Sequence, residues 1–160
     1  MTSLTRRYHF AASHRLHVNS MSDEANGALF GKCNNPFGHG HDYVLSVTVA
    51  GPVDSRTGLL VSPASLDGMV EESVLRLFAH RNINLDLPQF AELVPTTENV
   101  ARVIGGLLEE QWPLRFKGED TFLASVHVQE TDRNGFEVRL RNPRRPSFVA
   151  GQQESVSLHA

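Results

Sequence analysis

Apolar residues alternate with polar ones in four segments of this chain and recur at helical spacing in two others. In residues 4–16, Tyr8, Phe10, Ala12, His14 and Leu16 share one phase, and Arg7, His9 and Arg15 the other. Side chains alternate between faces along a strand, so this pattern predicts a strand with the first set turned inward. A second strand is predicted over residues 41–50, with Tyr43, Leu45, Val47 and Val49 inward, and Gly51-Pro52 ends it. Ser62-Pro63 reads as a helix start, serine capping and proline at the first helical position. The stripe Leu66, Met69, Val70, Val74, Leu77 and Phe78 follows at helical spacing. Thr96-Thr97-Glu98 opens a second helix, with the stripe Val100, Val103, Ile104, Leu107 and Leu108, ending near Trp112-Pro113. Phe122, Ala124, Val126, Val128 and Glu130 alternate again. Asp132-Arg133-Asn134-Gly135 has the chemistry of a hairpin turn, with a return through Phe136, Val138 and Leu140. Residues 17–38 are loop-like, with a helical turn at 23–29. Residues 141–160 show no sustained periodicity and are expected to form a mobile tail behind a domain of residues 1–140. The order ββααββ predicts an α+β domain: a four-stranded antiparallel sheet with two helices on one face.

Three features of the chain carry chemistry. His39 and His41 fall in phase with the inward set of the second strand, and His14 lies in the inward phase of the first. Three imidazoles on adjacent strands match the three-ligand set of a catalytic zinc site, which keeps one position open. Cys33, the only cysteine, precedes that pair in a loop rich in glycine and asparagine, where a thiol can serve as base or nucleophile. Glu130 continues an inward phase. A buried carboxylate needs a specific partner, and a ligand with adjacent N–H donors would supply one. His9 and His127 fall out of phase and are expected at solvent or a subunit contact; His17 and His159 lie in loop and tail.

Composition narrows the class. The 160 residues suffice for one domain with a real core, at 40% hydrophobic and 21% charged content. A net charge of -3 gives no electrostatic reason to expect nucleic acid or an anionic membrane as partner. Arg139, Arg141, Arg144 and Arg145 cluster without an aromatic stacking platform and read as solvated surface. One cysteine excludes an intrachain disulfide and fits a reducing compartment. The first residues lack the apolar core of a signal peptide, and no apolar run approaches the roughly 20 residues that span a bilayer. The expectation is a cytoplasmic protein.

The segments F-A-A-S-H-R-L, S-D-E-A-N-G-A-L-F-G-K-C-N-N-P-F-G-H-G-H-D-Y, T-T-E-N-V-A and V-Q-E-T-D resemble the 6-pyruvoyltetrahydropterin synthase and 6-carboxytetrahydropterin synthase family, the former more closely. The likeness spans roughly residues 8–140. It implies the tunnelling fold, in which sheets of several subunits join into a barrel and two trimers stack into a homohexamer with active sites between subunits. It implies a zinc-dependent lyase that converts 7,8-dihydroneopterin triphosphate to 6-pyruvoyltetrahydropterin and eliminates triphosphate. By the same resemblance His14, His39 and His41 hold zinc and Cys33 is the catalytic proton acceptor. His80 belongs to the catalytic relay, Glu130 holds the pterin ring, and Thr97 and Glu98 bind substrate. The chain departs from the pattern at Ala79, where an aspartate usually precedes the relay histidine. It departs also at Ser62-Pro63 and at Phe37, where related chains often carry asparagine. Ala79 leaves two alternatives open: a 6-carboxytetrahydropterin synthase of the queuosine pathway, or a pterin-binding homologue with weak catalysis. Asp86 or a neighbouring subunit would be the source of a replacement carboxylate.

Overall fold

The structure, a computed structural model, describes residues 1–118 and 120–140; the expected tail lies outside the described residues. Its centre is the pair β1 (Thr2–His14) and β2 (His39–Gly51), antiparallel over their whole length from Thr2↔Gly51 to His14↔His39. β4 (Phe122–Thr131) pairs antiparallel with β2, and β5 (Asn134–Arg139) with β4. These are the four expected strands. A two-residue strand, β3 (Arg81–Asn82), adds a parallel contact on the free side of β1 at Ala12 and Ser13, giving the order β3-β1-β2-β4-β5.

The inward phases hold in β1 and β2, where Phe10, Ala12, His14, Tyr43, Leu45, Val47 and Val49 are all buried. β4 departs from expectation at its start. The ladder pairs Thr48 with Ser125 but Val49 with Leu123, so Ala124 is a bulge and the phase flips. Leu123 is buried in place of Phe122 and Ala124, which are only partly covered.

Between β1 and β2 lie helix α1 (Asp23–Phe30) and a 3-10 turn, Gly31–Asn34. The segment 17–38 is thus more ordered than its composition suggests. Ser22 caps α1, Asp23 and Glu24 sit favourably in the first turn, and Asn26 is fully buried. Asn26 bonds Val18 through both its N–H and C=O, and also the carbonyls of Met21 and Ser22. One side chain therefore satisfies a loop that has no ladder of its own.

Helix α2 (Pro63–Val70) begins as expected, with Ser62 Oγ accepting from Ser65 N–H. It continues through a π-helical turn, Glu71–Leu75, into the short α3 (Arg76–Phe78). The wider turn shifts the helical phase. Val74 and Phe78 remain buried, but Leu77, expected in the stripe, is 41% exposed. A short helix α4 (Ile83–Asp86) and a 3-10 turn, Pro88–Phe90, lead to α5 (Thr97–Arg115). Thr96 caps α5, and Val100, Ile104 and Leu108 are buried. The helix runs past Pro113, which sits in its last turn where few helical bonds remain to be lost, and Trp112 stacks on Phe116. α5 lies over β4 and β5, and α3 reaches β1. α5 thus covers the face of β4 and β5, while His14 and His39 lie at the end where β1 stops and β2 starts.

Candidate metal centre

The ladder itself assembles the histidines. His14 ends β1 and His39 begins β2, directly opposite; His41 pairs with Ala12 and lies two residues on, on the same face. The three rings have centroids 4.9, 5.1 and 4.6 Å apart, and one nitrogen from each lies within 4.8 Å of the others. Gly38, just before His39, has φ 68°, and a Cβ there would sit 2.7 Å from the His14 carbonyl oxygen. Only glycine lets β2 start this close to the end of β1.

His14 is fully buried, and its Nδ1 lies 2.8 Å from the carbonyl oxygen of Pro95. A carbonyl only accepts, so Nδ1 carries the proton and Nε2 presents a lone pair. The buried atoms His14 Nε2, His39 Nδ1 and His41 Nε2 have no hydrogen-bond partner. Leaving one such group unmet costs about 1–3 kcal/mol, and here three face one another. A cation shared among three neutral imidazoles satisfies all of them, and a zinc ion fits this donor set. Burial pushes the His14 and His39 imidazoles below their ordinary pKa, which holds them in the neutral, ligating form.

Glu130 joins this group. The β4–β5 ladder pairs Gln129 with Gly135 and then Thr131 with Asn134, so Glu130 is an unpaired bulge residue. Bulges re-aim side chains, and this one sets Oε1 3.5 Å from His14 Nε2 and 3.7 Å from His41 Nε2. Cys33 lies in the 3-10 turn, where its carbonyl accepts from Leu16 N–H at 2.8 Å. Burial, and then the charge of Glu130, push the thiol above its ordinary pKa. The surrounding side chains therefore oppose the thiolate, and its activation requires positive charge brought to the site.

Other expected residues stand apart from this cluster. His80 lies in an adjoining cleft with His41, Asp42 and Asp86. Its φ of 61° is unusual for a residue with a Cβ, and its N–H donates to Ala11 at 2.7 Å. The backbone, rather than a neighbouring carboxylate, holds it. Asp86 accepts from Asn82 N–H at 2.8 Å and forms no ion pair with His80. Thr97 is 4% exposed and Glu98 exposed, both at the start of α5, two and three residues after the carbonyl that orients His14. His9 is exposed, His127 packs beside Gly135, and His17 Nδ1 accepts from Asn34 at 3.0 Å. His159 lies outside the described residues.

The profile of the family described as 6-pyruvoyl tetrahydropterin synthase matches residues 3–141. This chain belongs to that family. It is 45% identical to the human 6-pyruvoyl tetrahydrobiopterin synthase over 131 residues, covering 82% of this chain and 86% of that one. The Drosophila melanogaster protein of the same name is 40% identical over 131 residues, covering 82% and 75%. The solved structure of Caenorhabditis elegans 6-pyruvoyl tetrahydropterin synthase superposes with a TM-score of 0.80 at 34% identity, covering 88% of this chain and 96% of that one.

In this member of the family, several residues that sequence reasoning passes over support the site. Pro95 supplies the carbonyl that fixes the His14 tautomer, and the Tyr43 hydroxyl lies 3.4 Å from the same nitrogen. Asn84 bonds both the N–H and the C=O of Arg15, at 2.7 and 3.0 Å, tying the segment after His80 to the end of β1. Asn34 bonds the Leu16 carbonyl at 2.7 Å and so ties the Cys33 turn to the same place. The only signal in the sequence is the density of asparagine in these loops.

Proposed function

We propose that this chain is a zinc-dependent lyase that converts 7,8-dihydroneopterin triphosphate to 6-pyruvoyltetrahydropterin with elimination of triphosphate. The observation that carries the reading is the convergence of three imidazole nitrogens without a hydrogen-bond partner beside Glu130 and Cys33 in a member of this family.

In this reading His14, His39 and His41 hold the zinc, which when bound supplies Lewis-acid polarisation of substrate oxygens. Cys33, as thiolate, takes a proton from the substrate side chain, and His80 serves as the general acid–base partner from the adjoining cleft. Glu130 accepts N–H bonds from the pterin edge, and Thr97 and Glu98 contribute to substrate binding. Triphosphate leaves with the electrons of its C–O bond, and hydrogens shift within the substrate, so no external reductant is needed.

The assembly we infer is a homohexamer of two stacked trimers. Its support is the pair of open sheet edges. β1 meets β3 only at Ala12 and Ser13, and β5 has no second neighbour among the described residues. Joining such edges between subunits would close a barrel and remove them. No described helix is long and apolar enough to cross a membrane. We place the protein in the cytoplasm on its single cysteine, acting on a small pterin rather than on nucleic acid.

Ala79 favours a second reading, a homologue with a weakened relay or one that stops at 6-carboxytetrahydropterin. Incubation with dihydroneopterin triphosphate and mass-spectrometric identification of the product separates these: the pyruvoyl product supports the first reading, the carboxy product or unchanged substrate the second.

A further inference from the structure

A cleft of about 660 Å³ opens beside His14, His39 and His41 without including any of them. Its wall starts one residue away, at Arg15 after His14 and at Gly38 before His39. Arg15 and His17 both line it, and one residue orients both. Arg15 Nε donates to the Asn34 carbonyl oxygen at 3.2 Å, and Asn34 Nδ2 donates to His17 Nδ1 at 3.0 Å. The first bond leaves the Nη donors of Arg15 uncommitted, and no acid lies within ion-pair distance of Arg15 among the described residues. The second puts the His17 ring proton on Nε2. Asn34 Nδ2 also donates to the Leu16 carbonyl, which fixes which way the amide faces. The backbone of Arg15 is clamped on both sides by Asn84, so the guanidinium starts from a fixed root. Asn19 and Ser20 add polar groups to the wall, and Glu92 is its one acid.

We propose that this cleft is a polyphosphate subsite, with Arg15 and His17 as its donors and Asn34 as the residue that positions both. A planar guanidinium with free Nη groups suits phosphate oxygens. Donors already held in place lose little freedom on binding. If the lyase reading above holds, the occupant during turnover is the triphosphate of the substrate, anchored next to the carbon chain that the zinc polarises. Residue 34 directly follows Cys33, so one short turn would place both the proton acceptor and the anchor of the leaving group.

The test is calorimetric titration of the zinc-loaded full chain with inorganic tripolyphosphate, with orthophosphate as the comparison, for wild type, Arg15→Gln and His17→Phe. Tripolyphosphate should bind wild type more tightly than orthophosphate. Arg15→Gln should weaken it about tenfold or more, the loss expected for one charge-assisted contact, and His17→Phe should weaken it less. Zinc content and binding of the unphosphorylated pterin should stay unchanged in both. If Arg15→Gln fails to fold, the salt dependence of wild-type binding and the His17→Phe variant decide. No tripolyphosphate binding by wild type, or equal binding by all three proteins, overturns the subsite. Binding that depends on Arg15 in a protein that shows no lyase turnover leaves the subsite standing and removes the lyase reading instead.

Discussion

The ring of His14 is locked by a residue 81 positions away, its Nδ1 sitting 2.8 Å from the carbonyl oxygen of Pro95. The buried atom of His14 without a hydrogen bond is therefore Nε2, whereas that of His39 is Nδ1. In the zinc-loaded protein His14 should carry its proton on Nδ1 and His39 on Nε2. Long-range proton–nitrogen NMR spectra distinguish the two tautomers. The same tautomer for both rings would mean that the nitrogens meeting at the centre are not the ones identified here.

Glu130 bears on two measurements at once. In its proposed role of receiving the pterin edge, it should be indispensable for affinity: Glu130→Ala should cost about 2–5 kcal/mol of pterin binding while the metal stays in place. Its charge is also the second cause, after burial, of the raised Cys33 pKa. Glu130→Gln should then shift the alkylation profile of the thiol to lower pH, because removing a nearby negative charge eases formation of the thiolate. Near-native pterin affinity in Glu130→Ala argues against the first role, and an unmoved profile against the second.

The relay offers a ranking. Ala79 provides neither charge nor a side-chain hydrogen bond, and His80 is held through the hydrogen bond of its backbone N–H to Ala11. Cys33→Ala should abolish turnover, His80→Ala should lower it moderately, and Ala79→Asp should raise it. General acid–base groups contribute about 10²–10⁴-fold, enough to separate the variants in a rate assay. Equal damage from Cys33→Ala and His80→Ala, with no gain from Ala79→Asp, would show that another group orients His80.

Away from the site, Asp67 holds the middle of α2 to β1. It accepts two bonds from Arg6, each 2.6 Å, and one from the Tyr8 hydroxyl at 2.8 Å. The Arg6 bond, more than any other cause, draws its pKa below the ordinary carboxylate value. A carboxylate with a depressed folded pKa contributes stability above its unfolded value of about 3.9, and loses it as pH falls through the lower folded value. Asp67→Asn should lower the melting temperature at pH 7, with a deficit that shrinks as pH drops below about 4. A deficit independent of pH would assign the loss to packing rather than charge.

Much of this was legible in the chain because the relevant signals are local. Period two put His14, His39 and His41 on one face, since each belongs to a strand whose other inward residues are plainly apolar. Ser62 and Thr96 announced their helices because capping involves only the next three residues. What escaped depends on partners distant in sequence. The bulge at Ala124 exists only in the pairing with Thr48 and Val49, so no reading of β4 alone could place Leu123 inside. The π-helical turn that exposes Leu77 leaves no period of its own in five residues. β3 is two residues long and is a strand only because β1 lies beside it. Asn26 and Pro95 act through buried backbone contacts that composition does not signal.

The central claim is that the reaction depends on one zinc held by His14, His39 and His41. Its most direct measurement is stepwise return of zinc to chelated protein while the product formed from dihydroneopterin triphosphate is quantified. Activity should climb linearly and level off at about one zinc per chain, with 6-pyruvoyltetrahydropterin as product, and the His39→Ala, His41→Ala double variant should neither retain the metal nor recover. Full turnover in the chelated protein, or unchanged zinc binding in the double variant, would contradict the account.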